Sequence, residues 1–394
     1  MILIGSPAEL PNPSRMTREI ACEYSASCPQ SSGKEMDNPM KIVTIIGTRP
    51  QFIKYAPVSR VLRDVHEEIL VHTGQHYDPE LSDIFFRDLS IPRPAYNLEA
   101  GSGPHGEQTG KILQRAEEVL VREDPDLVMV YGDTNSTLGG AMAAAKLRIP
   151  LAHVEAGLRS FDRTMPEEIN RVVTDHVSDI LFCPTQQAVN NLRNEGIRAG
   201  LHPVGDVMAD ALAYGRKNAR QQSRIIKKLG LAKKEYYVLT IHRPGNTGSR
   251  RTLMTILTAV GKAGRTVVFP VHPRTEKSLK EFGLLEMISS DIILTEPLGY
   301  LDMIQLMEGA QRILTDSGGM QKEAYILGVP CVTFRENTEW VETLEGGWNV
   351  LAGTDPARIA AALRTKVPDT PHPDLYPVGA SVKIGAVLNS FGGR

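Results

Sequence analysis

The chain has 394 residues, of which 41% are hydrophobic and 23% are charged, and its formal net charge is -2. This is the composition of a globular protein, and the length exceeds what one ordinary hydrophobic core organises, so we expect two domains. The small net charge gives no overall basic field that would attract a nucleic acid or an anionic membrane. Because no apolar run has the length of a membrane helix, we expect a cytoplasmic protein without a nucleic-acid or membrane partner.

The first 39 residues differ from the rest of the chain. Pro, Ser and charged residues are scattered through them, and the only apolar run, MILI, is too short for the core of a signal peptide. We therefore expect residues 1–39 to form a disordered extension.

From Lys41 onward, short runs of Val, Ile and Leu alternate with helical patterns, which is typical of parallel βαβ units. The strand candidates of the first half are 41–47, 68–74, 126–133, 149–157 and 180–185. Those of the second half are 235–242, 266–272, 291–297, 312–318 and 329–334. The polar and basic stretch between the two groups, roughly 205–234, predicts the boundary between two doubly wound α/β domains that face one cleft. We assign 40–205 to the first domain and 206–375 to the second.

Polar clusters follow most of these strands. They are Gly47–Pro50, Thr73–His76, Gly132–Thr134, Glu155–Arg159, His242–Arg243, His272–Arg274 and Ser317–Gly319. In open α/β sheets the carboxyl ends of the strands line the ligand crevice, so this repetition favours a binding site over isolated helix caps.

The segment Asp316-Ser317-Gly318-Gly319 has two interpretations. Ser and Asp are preferred helix caps, and Gly tolerates a tight turn. Glycines before a helix also let backbone N–H groups approach a phosphate at the positive end of the helix dipole. The segment alone favours neither.

Basic side chains near strand ends could bind an anionic ligand. They are Arg49, Lys54, Arg171, His242, Arg243, His272 and Arg274. Each is individually explained as a solvated surface charge, except Arg49, which lies between a strand end and a helix whose first turn Pro50 defines.

Acidic side chains occur in the same regions. Asp133, Glu155, Glu167 and Glu168 could supply a general acid and a general base. Helix capping and matching of the helix dipole explain Asp133 and Glu167 equally well, but not Glu155, which ends a predicted buried strand.

Several catalytic templates do not occur. The chain has no G-x-S-x-G, Walker A or H-E-x-x-H string, and no G-x-G-x-x-G follows the first strand. The four cysteines lack the spacing of a metal site, and the D-x-D at Asp124–Asp126 precedes its strand instead of following it. We expect neither a metal nor a cofactor.

The strings GTRPQFIK, TGQHYD, GEQTG, YGDTNST, HVEAGLRSFDRTMPEEINR, HRPGNT, HPRT and TDSGGMQKEA occur in this order. Together they resemble the non-hydrolysing UDP-N-acetylglucosamine 2-epimerases over residues 40–390. The resemblance implies the GT-B architecture, two Rossmann-like domains with a nucleotide sugar in the cleft between them. It also implies nucleotide binding by the second domain, a C-terminal helix at 376–394 packed back towards the first domain, and a homodimer.

The same resemblance implies roles for individual residues. Asp133, Glu155 and Glu167 match the catalytic acids of the family. We expect His242 to be catalytic as well. Ser317, Gly318 and Gly319 would hold the diphosphate, and Glu323 the ribose hydroxyls. The remaining substrate-binding residues would be Arg49, Lys54, Arg171, Arg243 and His272.

Two strings depart from the commoner family pattern. Gly245 in HRPGNT stands where relatives often carry a carboxylate. TEWVE at 338–342 replaces T-E-R-P-E and, with TGQHYD and GEQTG, resembles the subgroup acting on UDP-2,3-diacetamido-glucuronate. SFDRTMPEE is more similar to enzymes that use UDP-GlcNAc, which is the substrate we predict. A GT-B glycosyltransferase and a non-catalytic nucleotide-sugar sensor are the remaining alternatives.

Overall fold

The computed structural model describes residues 39–75, 86, 88–89, 91–368 and 374–391. Residues 1–38 of the expected extension, His76 of TGQHYD and residues 392–394 of the expected C-terminal helix lie outside this part of the chain.

The first sheet is built from strands that alternate with helices along the chain. Its strands are β1 (Lys41–Ile46), β2 (Glu67–His72), β3 (Tyr96–Asn97), β4 (Leu127–Tyr131), β5 (Leu151–Val154), β6 (Ile180–Cys183) and β7 (Leu201–Pro203). The helices are α1 (Arg49–Leu62), α2 (His105–Glu123), α3 (Asn135–Leu147), α4 (Pro166–Val177) and α5 (Gln186–Asn194). The seven strands are all parallel, in the order β3-β2-β1-β4-β5-β6-β7.

The second sheet follows two connecting helices, α6 (Val207–Gln222) and α7 (Ile225–Lys228). Its strands are β8 (Tyr236–Thr240), β9 (Thr266–Pro270), β10 (Ile292–Thr295), β11 (Arg312–Thr315), β12 (Cys331–Thr333) and β13 (Asn349–Leu351). Its helices are α8 (Pro244–Thr247), α9 (Arg250–Gly261), α10 (Pro273–Glu281), α11 (Tyr300–Gly309), α12 (Gly318–Ile326), α13 (Pro356–Arg364) and α14 (Ala380–Ser390), with 3₁₀ segments at Leu285–Met287 and Val341–Gly347. These six parallel strands follow the order β10-β9-β8-β11-β12-β13.

Both sheets are doubly wound, as predicted. The central strands are buried along their whole length, which explains why they appear in the sequence as continuous apolar runs. Every strand candidate forms a strand, whereas the short edge strands β3, β7 and β13 were not predicted. They have only two or three residues each, too few for an apolar run to stand out.

In each sheet the strand order reverses between two central strands, β1 and β4 in the first and β8 and β11 in the second. Ligands of open α/β sheets bind at the carboxyl ends of the strands beside such a reversal. The polar clusters after these four strands therefore lie where a ligand is expected. Within the described residues, no helix is both long and apolar enough to cross a membrane.

Helix α6 connects the two halves, since it packs against α1 of the first sheet and α11 of the second. The C-terminal helix α14 packs against α1 and α6. Asp210 of α6 caps α14, because its carboxylate accepts hydrogen bonds from the backbone N–H groups of Gly379 at 2.5 Å and Ser381 at 2.6 Å. The C-terminal helix is thus attached to the helix that joins the two sheets.

We expect Asp210→Ala to lower the free energy of unfolding by about 2 kcal/mol, because it removes a half-buried cap that accepts several hydrogen bonds. The matched control is Asp355→Ala, which removes one exposed cap bond, from the Arg358 N–H at 2.8 Å, and should cost less than about 1 kcal/mol. Urea unfolding followed by circular dichroism measures both. Equal losses would contradict a special role for Asp210.

Candidate active site

A cavity of about 200 Å³ lies between the two sheets at the carboxyl ends of their strands. The predicted site residues that line it are Lys54, Asp133, Glu155, Arg171, Ser317, Gly318 and Gly319. It is also lined by residues to which the sequence analysis assigned no individual role, namely Met208, Lys322, Glu339 and Trp340. The cavity therefore contains carboxylates and basic groups from the first sheet opposite a helix start from the second.

Glu155 follows β5 with a φ of 76°, in the left-handed region that non-glycine residues rarely adopt. Its carboxylate binds the ammonium group of Lys54 and lies 3.3 Å from that of Lys322. Burial alone would raise the pKa of Glu155, but the charges of Lys54 and Lys322 outweigh it and lower the pKa. Glu155 is consequently an anion at neutral pH, held in a strained conformation, as is common at functional sites.

Asp133 follows β4 and is held by Arg171 of α4, whose Nη2 lies 2.5 Å from Asp133 Oδ2. The other arm of the guanidinium, Nη1, lies 3.0 Å from Glu168 Oε2. Burial lowers the pKa of Arg171, but the two carboxylates raise it by more. Glu168 also accepts hydrogen bonds from the N–H groups of Ser160 and Phe161, at 2.9 and 3.0 Å. Glu168 therefore holds both the Ser160–Phe161 loop and the guanidinium of Arg171 in place.

Glu167, predicted to be catalytic, does not line the cavity. It is exposed in the first turn of α4. It is close enough to Arg243, which follows β8 of the second sheet, to raise the pKa of that guanidinium, although burial lowers that pKa overall. Glu167 thus lies at the rim, facing the second sheet.

On the second sheet, Ser317 is the N-cap of α12, and its hydroxyl oxygen accepts a hydrogen bond from the N–H of Met320 at 3.5 Å. The capping interpretation of this segment is therefore correct. It does not exclude the anion interpretation, because the N–H groups at the start of α12 have no helical partner and this start lines the cavity. A Cβ at Gly318 would lie 2.6 Å from Glu339 Oε1, so the close approach of Glu339 requires glycine.

The segment after β8 is organised by the buried carboxylate of Asp316. It accepts hydrogen bonds from the N–H groups of His242 and Arg243 and from the Asn246 side chain, at 3.0, 3.0 and 2.9 Å. Burial lowers the pKa of His242, and Asp316 opposes this effect. The rings of His242 and His272 are 5.9 Å apart, and burial lowers the pKa of His272 as well. The two histidines and Arg243 therefore form one cluster of hydrogen-bond donors beside the start of α12.

Arg49 and Glu323 lie outside the cavity lining. Arg49 begins α1 and extends towards the second sheet, where its Nη2 is 3.5 Å from the carbonyl oxygen of Leu298. Burial raises the pKa of Glu323 to about 7, although the charges of Arg49 and Lys322 oppose this shift. Both residues thus lie near the cavity without lining it.

The arrangement suits acid–base chemistry on an anionic ligand. Carboxylates of the first sheet can transfer protons, while the start of α12 and the donor cluster around His242 can stabilise negative charge. Among the described residues, no group of three His, Cys, Asp or Glu side chains is arranged to hold a metal ion.

The two doubly wound domains and the cleft between them define a GT-B protein of the nucleotide-sugar class. The family model described as UDP-N-acetylglucosamine 2-epimerase matches residues 61–383. The chain belongs to this family, and it is an enzyme of the isomerase class.

Three similar proteins illustrate the relationship. A UDP-N-acetylglucosamine 2-epimerase homolog of Methanococcus maripaludis is 56% identical over 81% of this chain and 90% of its own. A UDP-2,3-diacetamido-2,3-dideoxy-D-glucuronate 2-epimerase of Pseudomonas aeruginosa is 46% identical over 89% of this chain and 99% of its own. The crystal structure of Methanocaldococcus jannaschii UDP-GlcNAc 2-epimerase in complex with UDP-GlcNAc and UDP has a TM-score of 0.82 and 43% identity, covering 90% of this chain and 100% of that chain.

We expect Asp316→Asn to loosen the segment after β8, because an amide oxygen cannot replace both carboxylate oxygens as acceptors. Hydrogen exchange of the His242 and Arg243 amides should become at least about tenfold faster, corresponding to the loss of roughly 1.4 kcal/mol. The control is Asp302→Asn, which affects a carboxylate that accepts a bond from the Ser223 hydroxyl at 2.5 Å. Unchanged exchange in Asp316→Asn would show that Asp316 does not organise this segment.

Proposed function

We propose that this enzyme is a non-hydrolysing UDP-GlcNAc 2-epimerase that interconverts UDP-GlcNAc and UDP-ManNAc without a cofactor. The observation that carries the proposal is the cavity in which Asp133 and Glu155 face the start of α12. The complex of the M. jannaschii relative with UDP-GlcNAc and UDP supports it. The proposal includes a cytoplasmic homodimer that supplies a nucleotide sugar for polysaccharide biosynthesis.

In this proposal the diphosphate binds at Ser317, Gly318 and Gly319. The free N–H groups and the dipole at the start of a helix stabilise phosphate oxygens. Arg49, Lys54 and Arg243 add positive charge around this point, and His272 is assigned to the phosphates as a hydrogen-bond donor. Glu323, in the same helix, is assigned to the ribose hydroxyls.

The chemistry follows from the position of C2. No carbonyl group lies next to C2, so simple removal of its proton would leave an unstabilised carbanion. Oxidation at C3 would acidify the proton but needs a nicotinamide cofactor, for which the sequence has no fingerprint. The remaining route removes the C2 proton while the C1–O bond breaks. The electrons of the C2–H bond then form the C1=C2 double bond of 2-acetamidoglucal, and UDP departs with the electrons of the C1–O bond.

The second half of the reaction reverses these changes on the other face of the sugar. A proton is delivered to C2 from the opposite side, and the β-phosphate oxygen of UDP forms the C1–O bond again. Carboxylates are suited to both proton transfers, and we assign them to Asp133, Glu155 and Glu167. His242, whose lowered pKa favours the neutral imidazole at pH 7, is assigned to the departing phosphate oxygen as a hydrogen-bond donor.

A second candidate substrate is UDP-2,3-diacetamido-2,3-dideoxy-glucuronate. The TEWVE string at 338–342 and the 46% identity to the P. aeruginosa enzyme favour it. The elimination chemistry is the same for both sugars.

Assaying each sugar without an acceptor separates these functions from the alternatives. Epimer identifies the substrate, no product or only slow hydrolysis would indicate a transferase that lacks its acceptor, and binding alone would indicate a sensor.

We expect the UDP-ManNAc formed in D₂O to carry deuterium at C2, because the proton removed from one face exchanges with solvent before the other face is protonated. Mass spectrometry and NMR of the product measure this. A companion experiment with ¹⁸O in the C1–O–P bridge should show scrambling into non-bridging positions while UDP is detached. Product without deuterium would overturn the proton-transfer roles of the carboxylates.

We expect Asp133→Asn, Glu155→Gln and Glu167→Gln each to lower kcat by roughly 10²-fold or more while UDP still binds, because they remove a proton-transfer group and keep its shape. The matched control is Glu118→Gln, an exposed residue of α2, which should retain full activity. Steady-state kinetics and calorimetry with UDP provide the two measurements. A variant with near-normal kcat would remove its residue from the mechanism.

A further inference from the structure

Lys322 is a buried cation that the sequence motif did not single out. It lies in the middle of α12, and its side chain is only 1% exposed. Its ammonium group binds the carboxylate of Asp206, lies 3.3 Å from Glu155 Oε1, and is 4.1 Å from the centre of the Trp340 ring. Each of these neighbours stabilises a positive charge, and the aromatic face does so through its quadrupole.

The charges around Lys322 balance one another. Lys54 and Lys322 supply two ammonium groups, and Glu155 and Asp206 supply two carboxylates, in a chain of three contacts. Buried charges are tolerated when they are paired in this way, whereas removal of one partner leaves its neighbour uncompensated. Burial alone would lower the pKa of Lys322, but the charges of Asp206 and Glu155 raise it by more.

The contact between Lys322 and Glu155 crosses the cleft. Glu155 follows β5 of the first sheet, and Lys322 belongs to α12 of the second. The charged groups that influence Glu155 come from three helices, namely Lys54 of α1, Arg171 of α4 and Lys322 of α12. Of these, Lys322 alone belongs to the second sheet, so its effect on Glu155 depends on how the two sheets are placed.

We propose that Lys322 is a positioning residue that acts across the cleft to hold the Glu155 carboxylate in place and in its anionic form. The proposal rests on the proposed function, because it concerns the carboxylate to which that function assigns a proton transfer. Lys322 itself is not required to touch the sugar. It connects the ionisation of a site carboxylate to the approach of the nucleotide-binding helix.

Three variants separate this role from simple packing. Lys322→Met removes the charge. Lys322→Met combined with Asp206→Asn removes it together with its second partner, so that the buried charges stay balanced and folding is protected. Asp206→Asn alone is the matched control, since it breaks the same Lys322–Asp206 pair but leaves Lys322 free to bind Glu155. An asparagine also preserves the helix cap that Asp206 Oδ1 forms with the Met208 N–H at 2.8 Å.

The readout is the pH at which Glu155 titrates, followed by the ¹³C shift of its carboxyl group and assigned with Glu155→Gln. Loss of one nearby opposite charge should raise this midpoint by about 1–3 pH units in both Lys322 variants. The acid limb of kcat/KM should move in the same direction. Asp206→Asn should leave the midpoint unchanged or lower it, because Lys322 then has Glu155 as its one carboxylate partner.

A raised midpoint in Lys322→Met together with an unchanged or lowered midpoint in Asp206→Asn supports the proposal. An unchanged midpoint in the folded double variant would overturn it and leave Lys322 with a packing role. An equal rise in Asp206→Asn would also overturn it, by showing a general disturbance of the site. Absence of turnover by the wild-type enzyme on either sugar would refute the proposed function instead, and the ¹³C titration would still decide the role of Lys322.

Discussion

The buried chain of charges from Lys54 through Glu155 and Lys322 to Asp206 is the constraint on which the rest of the structure depends. Lys54 and Glu155 belong to α1 and the end of β5 in the first half, Asp206 is the N-cap of the connecting helix α6, and Lys322 comes from α12 of the second half. The charges are balanced only when both sheets are in place, because an isolated buried charge is strongly unfavourable. The packing of the two domains and the electrostatics of the candidate site are therefore set by the same contacts.

This constraint also explains local conformations that would otherwise be unfavourable. Glu155 has a positive φ, a conformation that costs on the order of 1–3 kcal/mol for a non-glycine residue, and its pairing with two lysines offsets the strain. Gly132 has a φ of 65°, and a Cβ there would lie 3.3 Å from Glu155 Oε2 and 3.5 Å from Lys54 Nζ. Glycine at the end of β4 thus leaves room for the first ion pair.

The sequence predicted the features that depend on the pattern of apolar residues and on the position of polar residues after the strands. Buried parallel strands appear as apolar runs, and polar residues directly after them had to meet at one edge, so Asp133, Glu155 and the Ser317–Gly319 turn were found. Residues whose role depends on three-dimensional pairing were not found. Asp206 looks like an ordinary helix cap, and Lys322 like a surface lysine in a short helix. Their proximity to Glu155 arises only when the second sheet packs against the first, which no local pattern encodes.

The identity of residue 340 is related to the same balance of charge. Trp340 lines the cavity, and its ring lies against the ammonium group of Lys322. The commoner string T-E-R-P-E would put an arginine at this position, adding a third cation beside Lys322 and Lys54. Like charges at such short range are unfavourable, whereas an aromatic face stabilises the lysine. The tryptophan of TEWVE thus stabilises the charge of Lys322, which an arginine at the same position would not do.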